Sequence, residues 1–354
     1  MRVARLHAWG DVRVETVPAP VAGPGEIVIR VTACGLCGSD ALDWYVARKA
    51  PVVLGHEPAG IVVDIGEGVT ELQEGQRVFV HHHGPCMQCV ECARRLWSNC
   101  ATWRSTQLDP GGFAEYARVP APNVAHDVLA LPPSLSDEGA TFIEPLACCL
   151  RAVHKSRSTP DDAVLILGLG AMGLLLAQLA RVRGVAAVYG CDLRGERRAD
   201  ALTLLPGLFD AVFEDAREVK HRTVGRGADI VIVTPGTSAA IGAGLGVAAP
   251  GARVVCFTPL DPATPLQLDQ TLLYFREIEL LQSYSCGPDE TRAALDLLSD
   301  GRVRWQPLVT HRVGLEGVAA ALQRAHAAVG LKTIILPHTR TRPADPARTA
   351  SGRE

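Results

Sequence analysis

Residues 163–192 read AVLILGLGAMGLLLAQLARVRGVAAVYGCD, and the architecture follows from them. AVLIL is an unbroken apolar run of strand length, as a strand buried on both faces requires. It runs directly into Gly168-Leu169-Gly170-Ala171-Met172-Gly173. Glycines there permit a tight turn and close approach to an anion, and the free N–H groups of a helix opening at Ala171 supply the positive end. Met172, Leu175, Leu176, Leu179 and Val182 give that helix one apolar face. A second apolar strand, 187–191, ends at Asp192, 19 residues past Gly173, where a carboxylate can accept the hydroxyls of an adenosine ribose. Strand, glycine turn, helix, strand and acid in this order predict a dinucleotide-binding unit. Gly168, Gly170, Ala171, Met172, Gly173 and Asp192 are its expected cofactor contacts, with Arg197. The acid favours NAD; Arg194, Arg197 and Arg198 leave NADP as the lesser alternative, because an arginine beside that acid can take a 2′-phosphate.

The same alternation continues downstream. Apolar strands at 210–213, 229–234 (DIVIVT), 253–258 (RVVCFT) and 279–285 are separated by helical stretches, which predicts a doubly wound parallel sheet covered on both faces. Upstream the pattern differs. Short alternating segments at 26–32 (EIVIRVT), 59–65 (AGIVVDI) and 76–81 (QRVFVH) lie between turn signals such as Gly23-Pro24-Gly25 and Gly66-Glu67-Gly68, predicting a β-rich, barrel-like domain. A helical stretch begins near Ser136, and the α/β alternation starts after Pro160. Beyond Pro288, a helix at 289–298, a strand at 309–313, a helix through Ala328 and a strand at 332–336 are expected to rejoin the first domain. The expected division is 1–150, 151–288 and 289–337, with 338–354 (HTRTRPADPARTASGRE) as a flexible tail.

Composition narrows the function classes. The chain has 354 residues, 47% hydrophobic and 21% charged, which suits two folded domains. Its formal net charge is −3 and its basic residues are dispersed, so nucleic acid is not an expected partner. The first fifteen residues carry no signal-peptide core, and the uncharged run at 163–180 contains Gly168, Gly170, Gly173 and Gln178, so no membrane span is expected. Eleven cysteines without a secretion signal argue for thiols and metal ligands, and a cytoplasmic location is the default.

Two metal centres are written in the first domain. Cys86-x2-Cys89-x2-Cys92-x7-Cys100 places four thiols in a short loop, 84–103, and four thiolates close a tetrahedral zinc site with a structural role. His81, His82 and His83 precede it and are expected to end a strand and face solvent or a cleft. Cys37-Gly38-Ser39-Asp40 and Gly55-His56-Glu57 contain the residue types of a second zinc that keeps one position open for substrate.

With these motifs, CGxCGSD at 34–40, GHE at 55–57, GGFAEY at 111–116 and EPLA at 144–147, the chain resembles the zinc-dependent medium-chain dehydrogenase/reductase superfamily, its alcohol and sorbitol (polyol) dehydrogenase group. The resemblance implies a GroES-like catalytic domain interrupted by a Rossmann domain, with the active site in the cleft between them. It implies catalytic zinc on Cys37 and His56, with Glu57 or Glu144 completing the set. Ser39 would relay the proton and Asp40 would orient His56. Cys148 and Cys149 are expected to be buried thiols, and Trp44 and Phe113 to wall the pocket. A relay histidine common in the group is replaced by Leu42, leaving Asp43 or the cofactor ribose hydroxyl with water, and Ser283-Tyr284 stands where polyol dehydrogenases tend to place Arg-Tyr. The implied activity is NAD-linked oxidation of a secondary alcohol or polyol, a cyclitol or aminocyclitol among them, by a homo-oligomer, dimer or tetramer. L-threonine dehydrogenase-like amino-alcohol oxidation and a non-catalytic zinc- and NAD-binding regulator are the alternatives.

Overall fold

The computed structural model describes residues 1–339; the expected tail lies, from Arg340 onward, outside the described residues. The chain divides into two compact units, one of Met1–His82, Thr106–Ala130 and the segment from Val309, the other of His83–Ser105 and Leu131–Leu308.

In the second unit six strands form one parallel sheet. Their order is Ala211–Phe213, Ala187–Cys191, Ala163–Leu167, Ala228–Val233, Ala248–Cys256, Glu279–Gln282. Strands thus add outward in both directions from Ala163–Leu167, the doubly wound Rossmann order. Val164, Leu165, Ile166 and Leu167 are all buried, as the unbroken apolar run requires. Leu165, Val231, Val233 and Val254 share one core with Ile241 and Leu245 of the helix Ser238–Val247. The last strand stops at Gln282, short of the expected 285, because the chain must turn to enter the helix Pro288–Ser299.

The first unit is antiparallel except for its last pair, Val309–Val313 with Lys332–Ile335, which runs parallel. The strand Ile27–Leu36 is its spine, pairing with Glu57–Ile65, Tyr116–Val119 and Lys332–Ile335. The sheet extends through Arg77–Val80 to Val128–Ala130 on one side and to Val309–Val313 on the other. Two further strands, Arg2–Ala8 and Asp11–Thr16, form a hairpin from a segment whose charge density hid its alternation. Val3, Ala4 and Leu6 face the core, while Arg2 and Arg5 turn outward to Glu115 and Glu15. Together these elements make the GroES-like half of a mixed α/β protein.

The observed boundaries differ from 1–150, 151–288 and 289–337. The helix Ile143–Ser156 belongs to the second unit, where it packs on Ala171–Val182 and Pro288–Ser299 and buries Ile143, Leu146, Ala147 and Val153. The cysteine lobe goes with it: Arg151 donates to Arg95 O at 3.2 Å, and Trp103 meets the Tyr284 ring edge-on at 5.9 Å. The return to the first unit therefore comes at Val309, not 289. Among the described residues no helix is long and apolar enough to cross a membrane.

Candidate functional site

In the first unit, register assembles the site. Gly35 lies opposite Glu57 in the antiparallel pair Ile27–Leu36 and Glu57–Ile65. Cys37 is thus just past the end of one strand and His56 just before the start of its neighbour, at the same end of the sheet. One ligand atom each from Cys37, His56 and Glu57 lies within 4.8 Å of the others. The 3-10 turn Gly38–Ala41 folds Asp40 back onto both: its Oδ2 accepts the Cys37 N–H at 3.2 Å, and its Oδ1 lies 3.3 Å from His56 Nδ1. Asp40 is buried. A carboxylate on Nδ1 fixes the tautomer and leaves Nε2 for a metal. Burial opposes charge on His56, but the Asp40 carboxylate and the Cys37 sulfur more than offset it and hold the imidazole pKa well above its ordinary value. Ser39 Oγ donates to Cys37 Sγ at 3.4 Å. One thiol, one imidazole and one carboxylate fit a zinc that retains an open position.

Of three further side chains here, sequence reading missed Lys332, whereas it expected the histidine run to face solvent or a cleft. Lys332, from the strand Lys332–Ile335, ion-pairs with the fully buried Glu57. The His82 ring lies 4.9 Å from the His56 ring. His81 does not face solvent: it is fully buried, with Nδ1 2.7 Å from Asp127 Oδ2, and Asn123 donates to its carbonyl at 2.8 Å. The run of three histidines was the available signal, but which of them turns inward depends on the partner strand. Phe113, expected on a pocket wall, is fully buried in the first unit's core. Trp44 is partly buried beside Tyr45, with Arg48 over its ring at 5.6 Å.

The four lobe thiols converge. Cys86 and Cys92 sulfurs are 4.0 Å apart, Cys89 and Cys92 3.5 Å, Cys100 and Cys86 3.6 Å. Ligands on a tetrahedral zinc–thiolate centre are separated by about 3.8 Å, so the set fits zinc without rearrangement. Burial resists ionisation of Cys100, yet backbone N–H groups of Trp103 and Cys86 and the neighbouring thiols bring it down to about 6. Cys92, Cys100, Trp97 and Trp103 are nearly all the core the lobe has.

The dinucleotide segment folds as expected from its glycines. Gly168 has φ +87° and its N–H donates to Cys191 O at 2.8 Å. A Cβ on Gly173 would collide with the Gly168 carbonyl, so only glycine lets the helix Ala171–Val182 seat this closely on its strand. Gly170 caps that helix and has open space where its Cβ would be. Ala171 and Met172 form the first turn. Asp192 stands at the end of Ala187–Cys191, with Oδ2 accepting from Leu169 N–H at 2.8 Å and Oδ1 from Arg194 N–H at 2.9 Å. Arg198 is committed to Asp192 O and Glu214. Arg197 is partly buried, and that burial lowers its pKa against the pull of Asp192.

Glu144 opens the helix Ile143–Ser156 in the second unit and is buried. Cys148, one turn on, donates to Glu144 Oε1 at 3.3 Å, and Cys286, which sequence reading did not single out, contacts the Glu144 carbonyl at 4.0 Å. Cys149 is fully buried against Met172 O. Ser283 is buried and Tyr284 exposed.

Residues 23–132 match the alcohol dehydrogenase GroES-like domain family, and residues 171–300 match the zinc-binding dehydrogenase family. The chain is 29% identical to sorbitol dehydrogenase of Bombyx mori over 345 residues, covering 94% of this chain and 97% of that one. A Sinorhizobium meliloti 1021 protein assigned as a zinc-binding dehydrogenase, solved with NADP bound, superposes with a TM-score of 0.84 at 29% identity, covering 95% of this chain and 99% of that one. Galactitol-1-phosphate dehydrogenase of Escherichia coli gives 0.82 at 27% identity, covering 95% and 100%. With both halves matched in order around one mainly antiparallel and one doubly wound sheet, the chain belongs to the zinc-dependent medium-chain dehydrogenase/reductase superfamily, as an alcohol/polyol dehydrogenase.

Proposed function

We propose that this dehydrogenase oxidises a secondary alcohol group of a polyol, cyclitol or aminocyclitol, with NAD as hydride acceptor and a zinc ion held by Cys37, His56 and Glu57. The convergence of those three side chains within 4.8 Å, oriented by one buried aspartate, carries the reading. When bound, zinc supplies Lewis acidity to a hydroxyl oxygen and the nicotinamide supplies the hydride acceptor.

The chain's own residues supply orientation and proton handling. Asp40 bridges Cys37 N–H and His56 Nδ1, so both ligands are aimed by one carboxylate. Ser39 is partly exposed, and its hydroxyl can accept a proton on one side while releasing one to water on the other. Leu42 carries no titratable group, and the Asp43 carboxylate accepts from Trp44 N–H at 2.7 Å, which supports water as the outer carrier. Glu57 is favoured over Glu144 as third ligand because it lies in the cluster, while Glu144 accepts from Cys148. The lobe thiols would hold a second, structural zinc. The Asp192 carboxylate, fixed by two backbone amides, supports NAD, since it would repel a 2′-phosphate.

The test is NADH or NADPH appearance against linear polyols, cyclitols, simple secondary alcohols and threonine. Turnover with one polyol or cyclitol class, preferring NAD by about tenfold or more, is expected. Selectivity for threonine would replace the substrate class, preference for NADP would replace the cofactor, and silence with zinc and cofactor bound would sink the reading.

A further inference from the structure

A groove of about 420 Å³ opens in the second unit where Gln178 and Arg181 of the helix Ala171–Val182 meet the loop at 205–208 and the segment at 302–304. Ala171, at the glycine turn, and Arg181 are about 15 Å apart along the helix axis, so the groove is separate from the dinucleotide segment. We propose that it binds a small organic phosphate, with Arg302 and Arg304 taking the phosphate and the apolar lining taking the body of the molecule. Three arginines line it in a chain whose net charge is −3. Arg181 is already engaged: its Nε donates to Leu208 O at 2.8 Å and its Nη2 to Asp210 Oδ2 at 2.9 Å. Arg302 and Arg304 are exposed, and among the described residues neither guanidinium has a hydrogen-bond or ion-pair partner. Their two positive charges match a phosphomonoester, which carries about two negative charges at neutral pH, and each guanidinium presents a fork that fits two phosphate oxygens.

The backbone holds this pair of arginines in place. Along Arg302-Val303-Arg304-Trp305 exposed and buried side chains alternate: Val303 and Trp305 turn into the core, so Arg302 and Arg304 share the outer side. Trp305 packs against Phe142, with ring centroids 5.8 Å apart. Gln178 is a buried polar residue in an otherwise apolar stretch of its helix, and its amide grips the backbone of Arg304 at two points. Its Oε1 accepts the Arg304 N–H at 2.7 Å, and its Nε2 donates to Arg304 O at 3.2 Å. Arg302 N–H donates to Leu297 O at 3.0 Å. The rest of the lining includes Val182, Leu205 and Pro206, which give the groove an apolar side. Two free charges beside an apolar surface suit a phosphate that carries an organic group, whereas a nucleic-acid backbone calls for a longer basic stripe. A ligand seated there would tie together three segments that are distant in the sequence.

The test uses the zinc-loaded enzyme saturated with its reduced nicotinamide cofactor, so that the glycine turn is filled before any probe is added. Calorimetric titration with phenyl phosphate, in a low-salt buffer free of phosphate, should show one site per chain, and the same probe should raise the melting temperature. Arg302→Gln and Arg304→Gln should each weaken that binding by about tenfold or more, while cofactor affinity and the melting temperature without probe stay at wild-type values. Arg222→Gln, which removes an exposed arginine outside the groove, should leave probe affinity unchanged. Inorganic phosphate should bind about tenfold more weakly than phenyl phosphate, since it buries no apolar surface. Neither heat nor a melting shift at millimolar phenyl phosphate overturns the site. An equal loss in Arg222→Gln does the same, because binding would then follow net charge alone. Inorganic phosphate binding as tightly as phenyl phosphate overturns the assignment to an organic ligand. Failure of the proposed alcohol oxidation would leave arginine-dependent binding in the groove untouched.

Discussion

Asp40 illustrates how much one buried side chain can fix. It is a single carboxylate holding the backbone of one proposed ligand and the ring of another. Asp40→Asn should therefore lower kcat/KM by about 10- to 100-fold and weaken zinc at that centre, while the lobe zinc stays. Steady-state kinetics with metal counting checks this, and wild-type kinetics would remove the orienting role. Lys332 is the complementary case, a buried cation facing a buried anion. In the metal-free protein Lys332→Met strands the Glu57 charge and should cost about 3–5 kcal/mol in denaturant unfolding. Adding Glu57→Gln in the same chain should recover much of that loss, because the uncompensated charge is gone. A single variant as stable as the wild type would show the pair to be dispensable.

At the scale of elements, the cysteine lobe depends on metal and on one close approach. Its helices are short, Val90–Ala93 and Ala101–Ser105, and its core is two tryptophans and the thiols themselves. Cys92→Ala should thus lower zinc by one equivalent per chain and raise hydrogen exchange across 86–105 while the parallel sheet stays protected. Gly287→Ala perturbs the same lobe differently. A Cβ there would enter the Trp97 ring, so stability should fall by about 1–3 kcal/mol with the zinc count unchanged. Calorimetry together with metal counting separates the two, and identical behaviour of both variants would refute this division of labour. The alternation of 163–167 and 187–191 was legible because parallel strands buried on both faces must be apolar throughout. The hairpin Arg2–Ala8 and Asp11–Thr16 was not, since its outward arginines mask a core-facing set of only Val3, Ala4 and Leu6.

For the whole molecule, the division of chemistry between units makes a clean prediction. The dinucleotide glycines and Asp192 lie wholly in one unit, and Cys37, His56 and Glu57 wholly in the other. Cys37→Ala should therefore abolish most turnover yet leave NADH affinity near the wild-type value, read by fluorescence titration. Parallel loss of NADH binding would contradict that independence. The sequence by itself determined the two sheet types, the glycine turn with its acid and the four-cysteine lobe, because each is set by local spacing: period, turn geometry or ligand interval. Only the tertiary structure decided that the helix Ile143–Ser156 and the lobe belong with the parallel sheet, that Phe113 is core and that His81 turns inward onto Asp127. It alone brought Lys332 to Glu57 and Cys286 to Glu144, partners 275 and 142 residues apart. Such pairings depend on strand register and helix packing between distant segments, and no local periodicity encodes them.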